Sequence, residues 1–447
     1  MAIYSTIFAV IIAFASYVAY QKYVTVYTSF VVKPLKTYDY IIGCVLAARL
    51  SEDPGTKVLL IEAGDHMGYF TKVPLTATAA QQGPNDWAVK TTRQKYSSFG
   101  MWNQTQLIPR GKGLGGSGQI NFLLHGFGLP SDFTRWNRHG FKGWLYEDLK
   151  RYFIKAFGTV RDEFDSEHCP IEGECPGVKA PMKLKLGSDH DELMTTFRQA
   201  SSILQGDQTT FKRATATIRF ENKIASSLYI LQNHRQLDNI FVSKEIILSA
   251  GVFKTPQILM LSGIGPKKIM EKLKIQPVSI NEAVGQNLHD NMNMAVYVSI
   301  QKPISVTLGK VFSLSTVWKY FWSSSVMLFA MGTASERLLR DLSNYKPKEG
   351  FMWLCSCLQP RSRAIRRAED LISTKPFQDL GAVIHWPRPE RCLSFWNYSI
   401  HEQRRPPAAS PGSTNTVRSP PDEYLACVIR EVAVTGHHAG GTCAGGR

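Results

Sequence analysis

Apolar and polar positions divide the chain into short segments, with no single long amphipathic repeat. Tyr38 to Ile42 reads as a short buried strand, and Cys44 to Leu50 as a helix with Val45, Leu46 and Leu50 on its apolar side. The turn cluster Ser51-Glu-Asp-Pro-Gly55 separates it from a second apolar strand, Val58 to Ile61, which Glu62-Ala63-Gly64 closes. Strand, helix and strand, with an acidic residue ending the second strand, is the order of a Rossmann-type unit. Further on, a glycine-rich loop at Gly111 to Gly118 leads into the apolar run Ile120 to Leu124. Trp136, Trp144, Tyr146, Leu149 and Tyr152 predict a helix-containing segment with buried aromatics. Ile246 to Ala250 reads as a strand, and Thr255 to Leu261 as a helix stopped by Ser262-Gly-Ile-Gly-Pro266. Val311 to Met331 is apolar but broken by Lys319, so it reads as core. Residues 403–421 are rich in Pro, Ser and Arg and read as loop or disorder.

Composition adds two constraints. Of the 447 residues, 44% are hydrophobic and 20% charged, which is ordinary globular usage, and the length predicts two joined domains. The net charge of +16 suggests a polyanion or membrane surface as partner, but the basic residues are scattered. Their densest cluster, Arg361, Arg363, Arg366 and Arg367, has no interleaved aromatics, so no nucleic-acid partner is expected. A basic polyanion-binding module rests on charge alone. Ile3 to Tyr20 carries no charge, and residues 1–21 read as a signal peptide or a membrane anchor, with residues 3–20 as the tether. Either reading puts the body of the chain in the secretory pathway, outside the cell or anchored to a membrane. There are 8 cysteines; Cys169 and Cys175 flank a turn and fit a local disulfide, and no zinc-site spacing occurs. Asn103-Gln-Thr105 and Asn397-Tyr-Ser399 are glycosylation sequons.

Three segments carry candidate chemistry. Gly43 after the first strand and Glu62 about twenty positions later fit a dinucleotide site, where glycines admit a pyrophosphate and a carboxylate takes the ribose hydroxyls. Arg110-Gly-Lys-Gly-Leu-Gly-Gly-Ser-Gly-Gln-Ile-Asn121 means close backbone approach or left-handed turns. Ser249-Ala-Gly-Val-Phe-Lys-Thr-Pro-Gln-Ile-Leu-Met-Leu-Ser-Gly-Ile-Gly-Pro266 is a strand, a turn and a helix. Together with Val284-Gly-Gln-Asn-Leu-His-Asp290 and His438-Ala-Gly-Gly-Thr-Cys443, they resemble the glucose–methanol–choline (GMC) family of FAD oxidoreductases, most of all its secreted insect members.

The resemblance implies an α/β fold: a Rossmann-like FAD-binding domain with a mainly parallel sheet, plus an incomplete α+β substrate domain with an antiparallel sheet. It places the FAD-binding region at 37–300 and a partial substrate region at 301–447. It implies FAD as cofactor, a small alcohol or sugar as substrate, and an electron acceptor that the residues do not name. Glu62 with Ala63 would meet the adenosine ribose. Gly43, Trp87, Gly115, Gly116, Ser117, Asn121, Phe122, Leu123 and Leu124 would line the rest of the cofactor. His438 would face the flavin as the base that removes the substrate hydroxyl proton while a hydride passes to flavin N5. No metal is implied.

Departures from the family pattern point to a different outcome. Ile42 runs directly into Gly43, which leaves out two of the three glycines of a dinucleotide loop. A strand is not expected to reverse into a helix across one residue, because such loops usually need about two. His125 and Thr134 replace residue types the family favours, and a hairpin is skipped between Leu237 and Ser243. The chain reaches Arg447 before the family's second catalytic residue and last FAD-contacting strand. These gaps make weak FAD binding, and a catalytically degenerate relative acting as a binding protein, the alternative expectation.

Overall fold

A computed structural model describes residues 35–42, 44–65, 80–121, 130–159, 182–184, 192–205, 227–228, 231–232, 235–236, 240–302, 350–355, 362–396 and 419–443, with single residues 16, 127 and 304. The chain packs as two units, residues 1–62 with 221–251, and residues 63–220 with 252–447. The N-terminal tether, Cys169 and Cys175, the apolar run 311–331 and most of 403–421 lie outside the described residues. Among those described, no helix is long and apolar enough to cross a membrane.

The first unit is the predicted Rossmann-type sheet. Strand β1 (Thr37–Ile42), helix α1 (Cys44–Leu50) and strand β2 (Val58–Leu60) form a right-ordered strand–helix–strand unit. β1 pairs in parallel with β2, Ile41 opposite Leu59, and on its other side with β3 (Ile240–Ile246). A two-residue strand at Ser227–Leu228 closes the edge antiparallel. Tyr38, Ile41 and Ile240 make the buried face, with Leu59, Val242 and Ile246 against them. Tyr38, Ile41 and Ile42 are buried, and Asp39 and Tyr40 half-buried, along β1. Its one acidic residue, Asp39, ties the three strands together. It accepts the Lys57 N–H at 2.9 Å and the Ser243 hydroxyl at 2.7 Å, and these two bonds lower its pKa.

Two expectations are corrected here. Helix α1 starts at Cys44, so β1 and α1 are separated by one residue, which sequence reasoning held to be too few. The third strand is Ile240–Ile246, not Ile246–Ala250. Ser243, Lys244 and Glu245 hid it: all three are exposed and break the apolar pattern, while the backbone still pairs with β1.

The second unit holds an antiparallel sheet wrapped by helices. Helix α2 (Gly251–Leu261) begins four residues earlier than its apolar pattern predicts. It is followed by β4 (Met292–Asn293) and β5 (Ala295–Ile300). β5 lies between β6 (Gly350–Cys355) and β7 (Val383–His385), antiparallel to both. Val296, Val298 and Ile300 form one face of β5 and pack on Ala200, Phe377, Leu380 and two residues of helix α3 (Ser362–Ile372), Leu371 and Ile372. A second core joins Ile365 of α3 to Tyr424, Leu425 and Val428 of helix α4 (Asp422–Val432). Arg366, part of the basic cluster, clamps the two helices, bonding Glu369 at 2.8 Å and Asp422 at 2.7 Å. Cys392 and Cys427 form a disulfide across this core, their Cα atoms 5.6 Å apart.

The aromatic segment is only partly as predicted. Phe133 takes the buried centre, 5.3 Å from Trp136 and 6.0 Å from Phe153. Tyr152 is 53% exposed, since it sits one helical position, about 100°, away from Phe153.

Phe377 has no exposed surface, so Phe377→Ala should destabilise the second unit by about 3–5 kcal/mol. Denaturant titration checks this: the midpoint should fall with an unchanged slope, and a shift under about 1 kcal/mol would show that the cavity collapses.

Candidate functional site

The second unit brings three of the sequence motifs together. The glycine loop folds back on itself. The Gly111 N–H donates to the Ser117 hydroxyl at 3.1 Å, and the Gly116 N–H to the Gly113 carbonyl at 2.8 Å. Gly111 must be glycine, because a Cβ there would lie 2.2 Å from the Gly116 carbonyl oxygen. Gly115 and Gly116 turn the chain with φ of 91° and 55°, the left-handed region. A Cβ on Gly116 or Gly118 would meet nothing within 4 Å, so this stretch presents bare backbone to open space. Such bare backbone can be approached closely by a flat ligand.

Asp86 fixes the base of the loop. Its buried carboxylate accepts three backbone N–H groups, from Gln82 at 2.8 Å, Ala88 at 2.9 Å and Arg110 at 2.7 Å. Trp87 donates its N–H to the Arg110 carbonyl at 2.8 Å, and Lys254 and Lys112 sit 4.4 and 5.0 Å from its ring centre. Asn121 is exposed, and Phe122, Leu123, Leu124 and Gly43 lie outside the described residues. Glu62, half-buried, and Ala63, exposed, follow the end of β2. The single residue between β1 and α1 does not fit a three-glycine pyrophosphate cradle.

The histidine segment docks along Gly285–Asn293. Strand β8 (Val434–Thr435) pairs antiparallel with β4. Beyond it, His289 and Gly440 exchange N–H···O bonds of 3.0 and 2.9 Å, and the Gly285 N–H donates to the Thr442 carbonyl at 2.8 Å. Gly441 permits this contact: φ is 94°, and a Cβ would lie 2.2 Å from the Asn287 carbonyl oxygen. Asp290 holds the middle. It accepts the Thr435 hydroxyl on one oxygen and the His438 N–H, at 2.8 Å, on the other. Arg110, which opens the glycine loop, donates its guanidinium to the His437 carbonyl. The two motifs are thus joined by one cation, whose pKa is lowered by burial against the opposing pull of Asp290 and Asp86.

The two adjacent histidines separate in character. His438 is exposed, and only its backbone is held. His437 is half-buried, with a left-handed φ of 62°. Burial lowers its pKa; Asp290 opposes this, Arg110 and His438 reinforce it, and Asp86 opposes it weakly. Sequence reasoning missed Gln106. Its side chain accepts the Thr435 N–H at 2.5 Å and donates to Ser98 at 2.7 Å and to the Ala433 carbonyl at 3.1 Å. A lone Gln in a short strand carries no pattern that would have marked it.

One bond anchors the end of the segment. Pro256 sits inside α2 and has no N–H to give the Val252 carbonyl one turn earlier. The buried Thr442 hydroxyl donates to that carbonyl instead, at 2.5 Å.

Thr442→Val should therefore cost about 1–3 kcal/mol by leaving a carbonyl unsatisfied. In a Pro256→Ala background, where an N–H returns, the same change should cost much less; equal costs in both backgrounds in a double-mutant unfolding cycle would refute the link. His437 supplies a pH test. Its folded pKa lies below the ordinary 6.5, so the stability it confers is complete above that value. It is lost as pH falls, because the unfolded chain binds the proton first. His437→Asn, which tolerates the left-handed backbone, should flatten the fall in unfolding midpoint between neutral and mildly acidic pH. An unchanged slope would remove His437 from the account.

Comparison with known proteins identifies the family. The profile of the GMC oxidoreductases matches residues 42–170 and 158–293. "Neither inactivation nor afterpotential protein G" of Drosophila melanogaster is 26% identical over 512 aligned positions, covering 91% of this chain and 82% of that protein. The "oxygen-dependent choline dehydrogenase" of Proteus mirabilis is 31% identical, over 60% of this chain and 56% of its own length. The chain thus spans only about half of that relative. A crystal structure of formate oxidase superposes with a TM-score of 0.63 at 18% identity, covering 91% of this chain and 88% of the other, which shows the shared fold. The chain belongs to the GMC oxidoreductase family, whose cofactor is FAD.

Proposed function

We propose that the chain is an oxidoreductase of the CH–OH group of a small alcohol or sugar, with His438 as the base. The observation that carries this reading is the network in which Arg110, at the head of the glycine loop, and Asp290 together hold the 435–438 segment. It ties the segment that carries the proposed base to the residue that opens the glycine loop. FAD, when bound, supplies the hydride acceptor at flavin N5. Gly115, Gly116, Ser117 and Asn121 would lie along its flavin and pyrophosphate side. An exposed imidazole at His438 takes the hydroxyl proton and returns it to water. Its N–H bond to Asp290 fixes where the side chain starts. The half-buried neighbour, His437, whose pKa is lowered by burial, keeps its carbonyl on Arg110. The acceptor that removes electrons from the cofactor is a separate partner.

The one-residue junction between β1 and α1 favours a second reading, a relative that has lost firm hold of the cofactor and serves as a binding protein. A helix reached across one residue offers the pyrophosphate few free N–H groups.

Purification with excess FAD, followed by gel filtration and a visible spectrum, distinguishes the two. Stoichiometric flavin bands that bleach with an alcohol or sugar support the enzyme, and His438→Gln should then keep the colour but slow bleaching by about 10²–10⁴-fold. A colourless chain that unfolds cooperatively supports the second reading.

A further inference from the structure

We infer that Asn103 is an N-glycosylation site and that the chain folds in the secretory compartment. The motif is the sequon Asn103-Gln-Thr105, which plays no part in the site above. Its setting is what an occupied sequon needs. Asn103 is exposed on a surface turn between β-structured segments, with a left-handed φ of 52° that asparagine tolerates better than most residues.

The turn does not use the Asn103 side chain. The Gln104 N–H donates to the Met101 carbonyl at 2.9 Å, and the Thr105 N–H and hydroxyl both donate to the Trp102 carbonyl, at 3.2 and 3.0 Å. Among the described residues the Asn103 amide has no hydrogen-bond partner, so a sugar on it breaks nothing. Arg93, Met101, Gln104 and Thr105 line, with Asn103, a depression of about 470 Å³ that leaves room for the first sugar. Beside it, Trp102 is 87% exposed. Its indole offers a flat apolar face on which the C–H face of a sugar ring can pack.

A second observation is independent of the sequon. The Cys392–Cys427 disulfide lies within a packed core, with Cys392 fully buried. Disulfides of this structural kind form and persist in the oxidising compartments through which N-glycosylated chains pass.

The covalent step needs no redox partner. The Asn103 amide nitrogen bonds to C1 of the first sugar of a lipid-pyrophosphate-linked oligosaccharide. The C1–O bond breaks and the lipid pyrophosphate leaves as an anion, while the amide nitrogen gives up one of its two protons to water, so the step is a substitution with no change of oxidation state.

The test is expression of the full chain in insect cells, with digestion by peptide N-glycosidase and mass spectrometry of the Asn103 peptide. Conversion of Asn103 to aspartate on deglycosylation, together with a linked Cys392–Cys427 peptide under non-reducing conditions, is the expected result. Asn103→Asp and Thr105→Ala should each remove one glycan from the intact mass, and Thr105→Ser should restore it. Thr105→Ser guards against a turn that fails to form. An unmodified Asn103 overturns the inference, whether the chain is recovered from the secretory compartment or from the cytosol.

Discussion

Much of the second unit depends on a hydrogen bond that a proline leaves unmade. Pro256 removes the helical partner of the Val252 carbonyl, and Thr442 replaces it from a segment nearly two hundred residues away in sequence. A buried carbonyl without a donor costs about 1–3 kcal/mol, enough to favour docking of the terminal segment over fraying. Once Thr442 is seated, Gly440 and Gly441 can lie flat against Asn287 and His289, and β8 can pair with β4. The glycines permit the close approach, and the threonine holds it to helix α2.

From that fixed end the rest of the site follows by short polar links. Asp290 catches Thr435 and the backbone of His438, and Arg110 catches the carbonyl of His437. A carboxylate and a guanidinium, each partly buried and each satisfied by the same loop, define its position better than apolar packing could, because their bonds are directional. The partly desolvated His437, its pKa lowered by burial, belongs to the same logic. It lies between a cation and two carboxylates, and a second positive charge there would oppose Arg110.

Much of this was legible before any coordinates. Tyr38–Ile42, Cys44–Leu50 and Val58–Ile61 form the elements their periodicity predicts, since short buried strands and a helix between turn residues are local properties. The glycine loop was legible because glycine has few other reasons to cluster. The links were not. Gln106, Arg110 and Thr442 act through backbone groups distant in sequence, and a backbone acceptor has no letter of its own. The strand Ile240–Ile246 was misplaced because its polar Lys244 and Glu245 lie on an exposed stretch, so pairing rather than burial defines it.

The weakest point of the fold is also its most informative. β1 and β2 keep parallel register, Tyr40 opposite Val58 and Ile42 opposite Leu60, although one residue joins β1 to α1. Sheet pairing and the buried cluster of Tyr38, Ile41 and Ile240 therefore survive without the glycine turn. In a dinucleotide fold the turn serves the ligand and the strands serve the core, and here the two requirements come apart. The sheet's pairing and its buried cluster belong to the core and ask nothing of the loop that a ligand would use.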